Sequence, residues 1–455
     1  MDGAAIDRGI ELTRTLARLA SEVTYDALPA GARELARQCV LDYLGCAIAG
    51  AEDELVRILL DEMAAEGGAA QCAVVAHAER LPALSAALAN GAAAHALDYD
   101  DVNLAMPGHP SVAILPGLLA LAEMRGSNGR EVVTAFVAGY ETACRIGKAL
   151  QPSHYNLGFH ATGTVGAFGA AAACARLLGL DAEATARALG IAGTQAAGLK
   201  SQFGTMCKPF HAGKAAQNGL LAARLAARGF SSRDDLVECA QGFAATHGPD
   251  FRPEAALAEP AQGLHLFANL FKYHAACYMT HAPIECARHI LEAHGVAPEQ
   301  IAEISLTLDS ACDRICNIPS PADGLQAKFS LRQTVAMALA GVDTASLGAY
   351  SVATATDPAL VRLRERVNLE FHDGGPAAAA ELRVTLTDGR VLHASHDAGV
   401  PSADIAAQGA RLAAKFDALA APVLGAARSR ELREAIAALD DLGDAAALTR
   451  LAAKA

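Results

Sequence analysis

The sequence has 455 residues, of which 52% are hydrophobic and 19% charged, with a formal net charge of −13. A chain this long predicts two domains, and its composition is globular rather than disordered. The acidic balance argues against nucleic acid or an anionic membrane as partner, but not against a small anionic substrate, because a pocket answers to local charge.

The chain opens Met1-Asp2-Gly3, with no basic segment leading into an apolar run, and no apolar stretch reaches the roughly 18 residues of a membrane span, so a cytoplasmic protein is expected. Apolar positions recur with helical period over 4–21 and 29–50, with Pro29 at the start of the second segment. The same period marks 82–97, 110–125, 128–150, 161–178, 182–195, 211–228 and 232–239. After about residue 268 the pattern changes. Ile301–Asp309 alternates as a half-buried strand and Val367–His372 is a second candidate. Leu382–Leu386 and Val391–Ser395 flank Asp388-Gly389, a hairpin signal. From Asp404 the helical period returns. The expected fold class is therefore mainly α: a large all-helical domain of residues 1–268, completed by 399–455, and a smaller α+β domain of 269–398. The 11 cysteines have scattered spacings that match no disulfide framework, zinc site or iron–sulfur ligand set, so free thiols are expected.

Five polar segments stand out from the Ala-rich background. Asp98-Tyr99-Asp100-Asp101, followed by Gly108-His109-Pro110-Ser111, puts three carboxylates and a histidine on one loop; read alone, it is a solvated turn with a capping serine. His154 to Thr164 sets Tyr155 and two histidines before a helix whose Gly163, Gly166 and Gly169 lie three apart. That spacing suits close helix packing and not a dinucleotide fingerprint. Gly204 to Lys214 carries Lys208 and His211 on a turn entering a helix, where a lysine among apolar neighbours serves as a base or an anion holder. Lys272 to His281 is a dense polar set at the expected domain boundary, and Lys328 precedes Phe329-Ser330.

Together and in this order, these segments resemble the MmgE/PrpD family over nearly the whole chain. The most specific pieces are Asp-Tyr-Asp-Asp with Gly-His-Pro-Ser, Phe-His-Ala-Thr-Gly-Thr, and Gly-Thr-Met-Cys-Lys-Pro-Phe-His-Ala-Gly. The family includes 2-methylcitrate dehydratase, cis-aconitate decarboxylase and iminodisuccinate epimerase. The resemblance implies a helical domain built from both chain ends, an α+β lid domain, a cofactor-free site between them, and usually a homodimer; no His-rich metal pattern appears in the sequence, so no metal is expected. It carries the active site onto Asp98, His109, His160, Lys208 and Lys272, with His211, His281 and Lys328 as substrate-binding candidates. Two positions depart from the decarboxylase branch: Gln333 stands where that branch has tyrosine, and Cys277 where it has histidine. The step from Asp98 to His109, together with Tyr155 and Cys277-Tyr278, looks more like the epimerase.

The shared chemistry is a carbanion-like centre made or quenched α to a carboxylate, on a small di- or tricarboxylic acid. It needs a base, an acid and cations for the carboxylates. A hydro-lyase ranks first, an epimerase with Tyr155 as opposite-face acid second, and a decarboxylase third. A non-catalytic helical interaction protein has no need of so many histidine- and lysine-bearing loops.

Overall fold

The computed structural model describes residues 10–454. The chain folds into two compact units, one taking the chain through Phe271 and again from Ala403, the other spanning Lys272–Ser402.

The first unit is helical. Its elements run α1 (Leu12–Glu22), α2 (Ala30–Gly50), α3 (Glu54–Glu66), α4 (Ala83–His95), α5 (Pro110–Arg125), α6 (Gly129–Leu150), α7 (Ser153–Asn156), α8 (Ala161–Leu177), α9 (Ala182–Gly193) and α10 (Cys207–Ala227). The returning segment adds helices Ile405–Leu424, Ala426–Ala437 and Ala446–Ala452. Starts are set by local chemistry: Asp53 and Asp181 cap α3 and α9, and Asn128 and Glu131 form a reciprocal capping box on α6, such caps contributing about 1 kcal/mol each.

Small residues bring the helices unusually close. A Cβ on Gly163 would come 2.5 Å from the Ala197 carbonyl oxygen, one on Gly166 2.5 Å from Ala113 Cβ, and one on Gly169 2.9 Å from Ala143 Cβ. The three-residue glycine spacing on α8 is therefore a packing face against α5, α6 and the chain before α10. That packing places the starts of α5 and α8 side by side. α4, α5 and α8 are buried almost all round, which is why their sequences show little amphipathic contrast.

Three expectations need correction or extension. Residues 232–239 are not helical. Their polar groups are taken by α1 instead: Glu238 accepts from the Thr13 backbone and hydroxyl, Val237 N–H donates to Thr13 Oγ1, and Asp234 pairs with Arg14. The turn expected at Lys208 is already the first turn of α10. α3 has only Leu55, Val56 and Met63 buried, too few to show a period. The expected helix over 4–21 lies partly outside the described residues.

The second unit holds a four-stranded sheet in the order 367–372, 301–309, 379–386, 391–397. The first two strands are parallel and the others antiparallel, with Leu306 paired to both Leu369 and Leu382. Gly389, at φ 87°, turns the expected hairpin. Ile304, Leu306, Leu382 and Val384 join Ile284, Ala287 and Ile290 of helix His281–His294 and Leu331, Val335 and Leu339 of helix Leu331–Leu339 in one core. No helix among the described residues is long and apolar enough to cross a membrane.

Candidate active site

The acidic loop is a built turn, not a solvated one. The chain leaves α4 at His95 and reverses through Asp98, whose φ of 50° lies in the left-handed region that aspartate tolerates better than most residues. Tyr99, Asp100 and Asp101 are buried, and Asn103 closes the loop by pairing with Gly108. Asp101 then receives the Ser111 hydroxyl at 2.5 Å and the Ser111 N–H at 3.3 Å, which ties the loop to the start of α5. Burial, reinforced by Asp42, raises its carboxyl to about 7. Beneath the loop, Lys415 from the returning segment reaches Asp42 Oδ1 and the Tyr99 carbonyl, each at 2.6 Å, with its ammonium 3.9 Å from the centre of the Tyr99 ring. Burial alone would lower Lys415, but Asp42 outweighs it and holds the ammonium charged.

Three helix starts meet at this loop. His109 immediately precedes α5, His160 immediately precedes α8, and Lys208 lies in the first turn of α10. Gly108 sits so close to α8 that a Cβ would come 2.9 Å from Thr162 Oγ1, and the His109 N–H donates to that hydroxyl at 3.1 Å. The Gly-His-Pro-Ser and Phe-His-Ala-Thr segments, whose histidines are 51 positions apart in sequence, are thus one structural unit.

Lys208 Nζ lies 2.8 Å from Asp98 Oδ1, and His109 Nε2 lies 3.6 Å from the same oxygen. The His95 ring stands 4.5 Å from His109 and stacks over His160 at 5.9 Å. His160 Nδ1 faces His211 Nδ1 at 3.0 Å, so the pair shares a single proton between them. Gly198 permits that approach, since a Cβ there would come 3.2 Å from the His211 ring. Burial, helped by the neighbouring His95 and Lys208, keeps His160 neutral. Phe203 meets His160 edge-on at 4.9 Å and carries the Lys208 ammonium 5.3 Å from its ring centre.

Of the residues singled out in the sequence, Asp98, His109, His160, Lys208 and His211 are brought together. Tyr155 stands in α7, with Lys200 Nζ 3.5 Å from its ring centre and donating to its carbonyl at 3.1 Å. Burial lowers Lys200. Lys272, His281 and Lys328 belong to the second unit. There Lys272 and His281 are buried, and His281 rests against His274 at 5.0 Å and Tyr278 at 5.1 Å. His274 is held between Glu285 and Thr344, at 2.8 Å to each. Lys328 lies 5.7 Å from the centre of the Tyr350 ring.

One member of the cluster was missed from sequence, His95, the last residue of an Ala-rich helix; its partner Asp100 was singled out with the acidic loop but given no role. His95, Asp98, Asp100 and His109 offer donor atoms within 4.8 Å of one another, the arrangement among the described residues nearest to a metal site. A cation there would have to displace the Lys208 ammonium from Asp98 and the His95 imidazole from Asp100. The set is better matched to moving protons than to chelation.

Residues 14–256 match the MmgE/PrpD N-terminal domain and residues 274–441 the MmgE/PrpD C-terminal domain. The chain is similar to proteins named cis-aconitate decarboxylase. The one from Aspergillus terreus is 28% identical over 97% of this chain and 95% of its own length. The one from Homo sapiens is 28% identical over 91% and 89%. The one from Mus musculus is 28% identical over 82% and 79%. With both domain matches in consecutive order and the clustered motifs behind them, the chain belongs to the MmgE/PrpD family.

Proposed function

We propose that this chain is a cofactor-independent lyase that removes a proton α to a carboxylate of a small tricarboxylic acid. The observation that carries the reading is the Lys208–Asp98 ion pair set among His109 and His160 where three helices begin. Helix N-termini favour anions, and a lysine ammonium beside them gives a carboxylate its counter-charge. His109 is the base, with Nε2 facing Asp98. His160, neutral and receiving the shared proton of His211 at Nδ1, keeps its own proton on Nε2 and donates it to a departing hydroxide. Lys208 holds the carboxylate onto which the negative charge of the intermediate spreads. Lys272 enters this reading on its motif alone.

Dehydration ranks ahead of the decarboxylation named in the relatives for a reason specific to this chain. Gln333 is buried, with its amide donating to the Thr354 carbonyl and accepting from Arg364 at 2.9 Å, and an amide is no acid to stand in place of the tyrosine of the decarboxylase branch. Cys277 likewise replaces that branch's histidine with a weak thiol donor. The Tyr155–Lys200 pair favours a second reading, an epimerase: a tyrosine beside a lysine with lowered proton affinity is a plausible acid for the opposite face. The test is purified protein with citrate-type hydroxy-tricarboxylates, their unsaturated counterparts and amino-dicarboxylates in deuterated water, followed by NMR. An unsaturated product supports the hydro-lyase. Carbon dioxide release with an unsaturated dicarboxylate establishes the decarboxylase, and inverted substrate alone establishes the epimerase. Finding neither an unsaturated product nor α-deuterium in any of these compounds overturns the reading.

A further inference from the structure

The His109 ring makes a second contact that the reaction as described leaves unused. On the side away from Asp98, its Nδ1 lies 2.9 Å from Asp100 Oδ2. The same carboxylate receives His95 Nδ1, at 2.9 Å to one oxygen and 3.0 Å to the other. Asp100 is thus a buried carboxylate between two imidazoles, only 1% exposed, and His95 is equally enclosed.

The chemistry of this triplet assigns its protons. Burial alone would push the Asp100 carboxyl up, but the His109 and His95 imidazoles together outweigh it and hold the group well below the usual carboxylate range. An ionised carboxylate only accepts hydrogen bonds, so each Nδ1 that faces it carries a proton. The two histidines then differ. His95 Nε2 is fully buried and meets no hydrogen-bond partner, so a protonated His95 would bury an orphan N–H. Burial, against the pull of Asp100, brings His95 down to about 4, and it stays neutral. Its N–H braces Asp100 without cancelling the carboxylate charge. His109 keeps 12% of its side chain exposed and turns Nε2 toward Asp98 and Lys208. Its contact with Asp100 is short but off the hydrogen-bonding angle, whereas both contacts from His95 are aligned. His95 therefore fixes the carboxylate, and the fixed carboxylate faces His109.

We propose that Asp100, braced by His95, is a positioning residue that locks His109 in the tautomer with its proton on Nδ1, so that Nε2 presents a lone pair to the substrate. The same carboxylate stabilises the imidazolium that forms when Nε2 takes the substrate proton. In that step the C–H bond breaks, its electron pair stays on the α-carbon, and the proton moves to Nε2 while the Nδ1 proton remains on His109. The role rests on the base assignment above, but the tautomer itself is a property of the resting protein.

The test joins two readouts. In protein labelled with 15N-histidine, with His109 assigned by its loss in His109→Gln, long-range 1H–15N correlation at neutral pH shows a protonated Nδ1 and a bare Nε2. In Asp100→Asn the amide NH2 can donate to Nδ1, and the tautomer inverts. With it kcat falls on the order of a hundredfold or more, while KM stays within about threefold. His95→Asn, whose amide N–H replaces the brace, retains more activity than His95→Phe, which has no donor. An Nε2-protonated or doubly protonated His109 in the parent protein overturns the proposal, and this spectrum decides even if Asp100→Asn does not fold. So does an Asp100→Asn protein that keeps the parent tautomer. The expected tautomer in a protein that exchanges no α-proton on any carboxylate leaves the positioning role standing and removes the functional reading.

Discussion

Replacing Lys208 by alanine separates catalysis from stability. Lys208 lies in the first turn of the 21-residue α10, where a cation opposes the helix dipole by about 0.3–1 kcal/mol. Its pair with Asp98 is partly open, with side chains 15% and 36% exposed, and such a pair contributes about 0–1 kcal/mol. These terms oppose each other, and alanine is at least as good a helix former as lysine. Folding stability should therefore change by no more than about 1 kcal/mol, a small shift in melting temperature for a chain of this size. The rate should respond differently. A preorganised charge facing the developing anion is worth about 3 kcal/mol, or on the order of a hundredfold in kcat. A smaller effect accompanies it, because the Lys208 charge helps to depress both His95 and His160, and both rise when it is removed. Initial rates over a substrate series, together with thermal unfolding of the same preparation, measure both quantities. A kcat within about threefold of the parent, with only KM raised, would mean that Lys208 binds substrate and transition state equally, and would refute its assignment to the developing charge.

Three further outcomes follow from the buried charges around the loop. Lys415→Ala leaves Asp42 buried without its counter-ion and should cost about 3–5 kcal/mol in urea unfolding, whereas Asp42→Leu with Lys415→Met should recover most of it; equal losses in the single and double variants would show that the pair is not what matters. Asp101 has its folded-state carboxyl raised to about 7, so its contribution to stability is present below its unfolded value and is lost as pH rises through about 7. Asp101→Asn should thus gain on the parent by about 2 kcal/mol between about pH 5 and about pH 7, and a pH-independent difference would contradict that protonation state. Dialysis against EDTA should leave kcat unchanged, since Lys208 already holds Asp98; activity lost on chelation and restored by one particular metal would place an ion at the His95–Asp98–Asp100–His109 group.

What the sequence made legible follows from contrast. Asp98, His109, His160, Lys208 and His211 are polar groups in apolar surroundings, so they were visible before any geometry was known, and the glycines of α8 were correctly read as packing. His95 was invisible for the opposite reason. It ends a helix of alanines buried nearly all round, and a lone histidine there looks like any satisfied core residue. Its significance depends on the reversal at Asp98 that brings Asp100 back beneath it, and a left-handed aspartate leaves no periodic trace. Residues 232–239 failed because α1 supplies partners for their polar groups, a contact between positions more than 200 apart. The helix ends at the site were misjudged by a few residues only at α10, where Gly204-Thr205 reads as a loop and the helical period starts after Pro209.

For a chain of net charge −13 to bind an anion, as proposed, its local charges must be managed one by one, and this loop does so. Four carboxylates crowd it, each with a different set of partners. Asp42 is matched by the Lys415 ammonium. Asp101 accepts the Ser111 hydroxyl and stays largely protonated up to about 7. Asp100 accepts from the His95 imidazole and lies 2.9 Å from His109 Nδ1. Asp98, the most exposed, faces Lys208. Three of the four are buried, so the accessible face is left with Asp98, Lys208, the histidine rings and the positive ends of three helices. In the proposed reaction an incoming carboxylate competes with Asp98 for Lys208, next to His109 Nε2, which lies 3.6 Å from the same Asp98 oxygen. On the proposed reading, the anion holder and the base therefore meet at one aspartate, whose left-handed backbone holds it between the two.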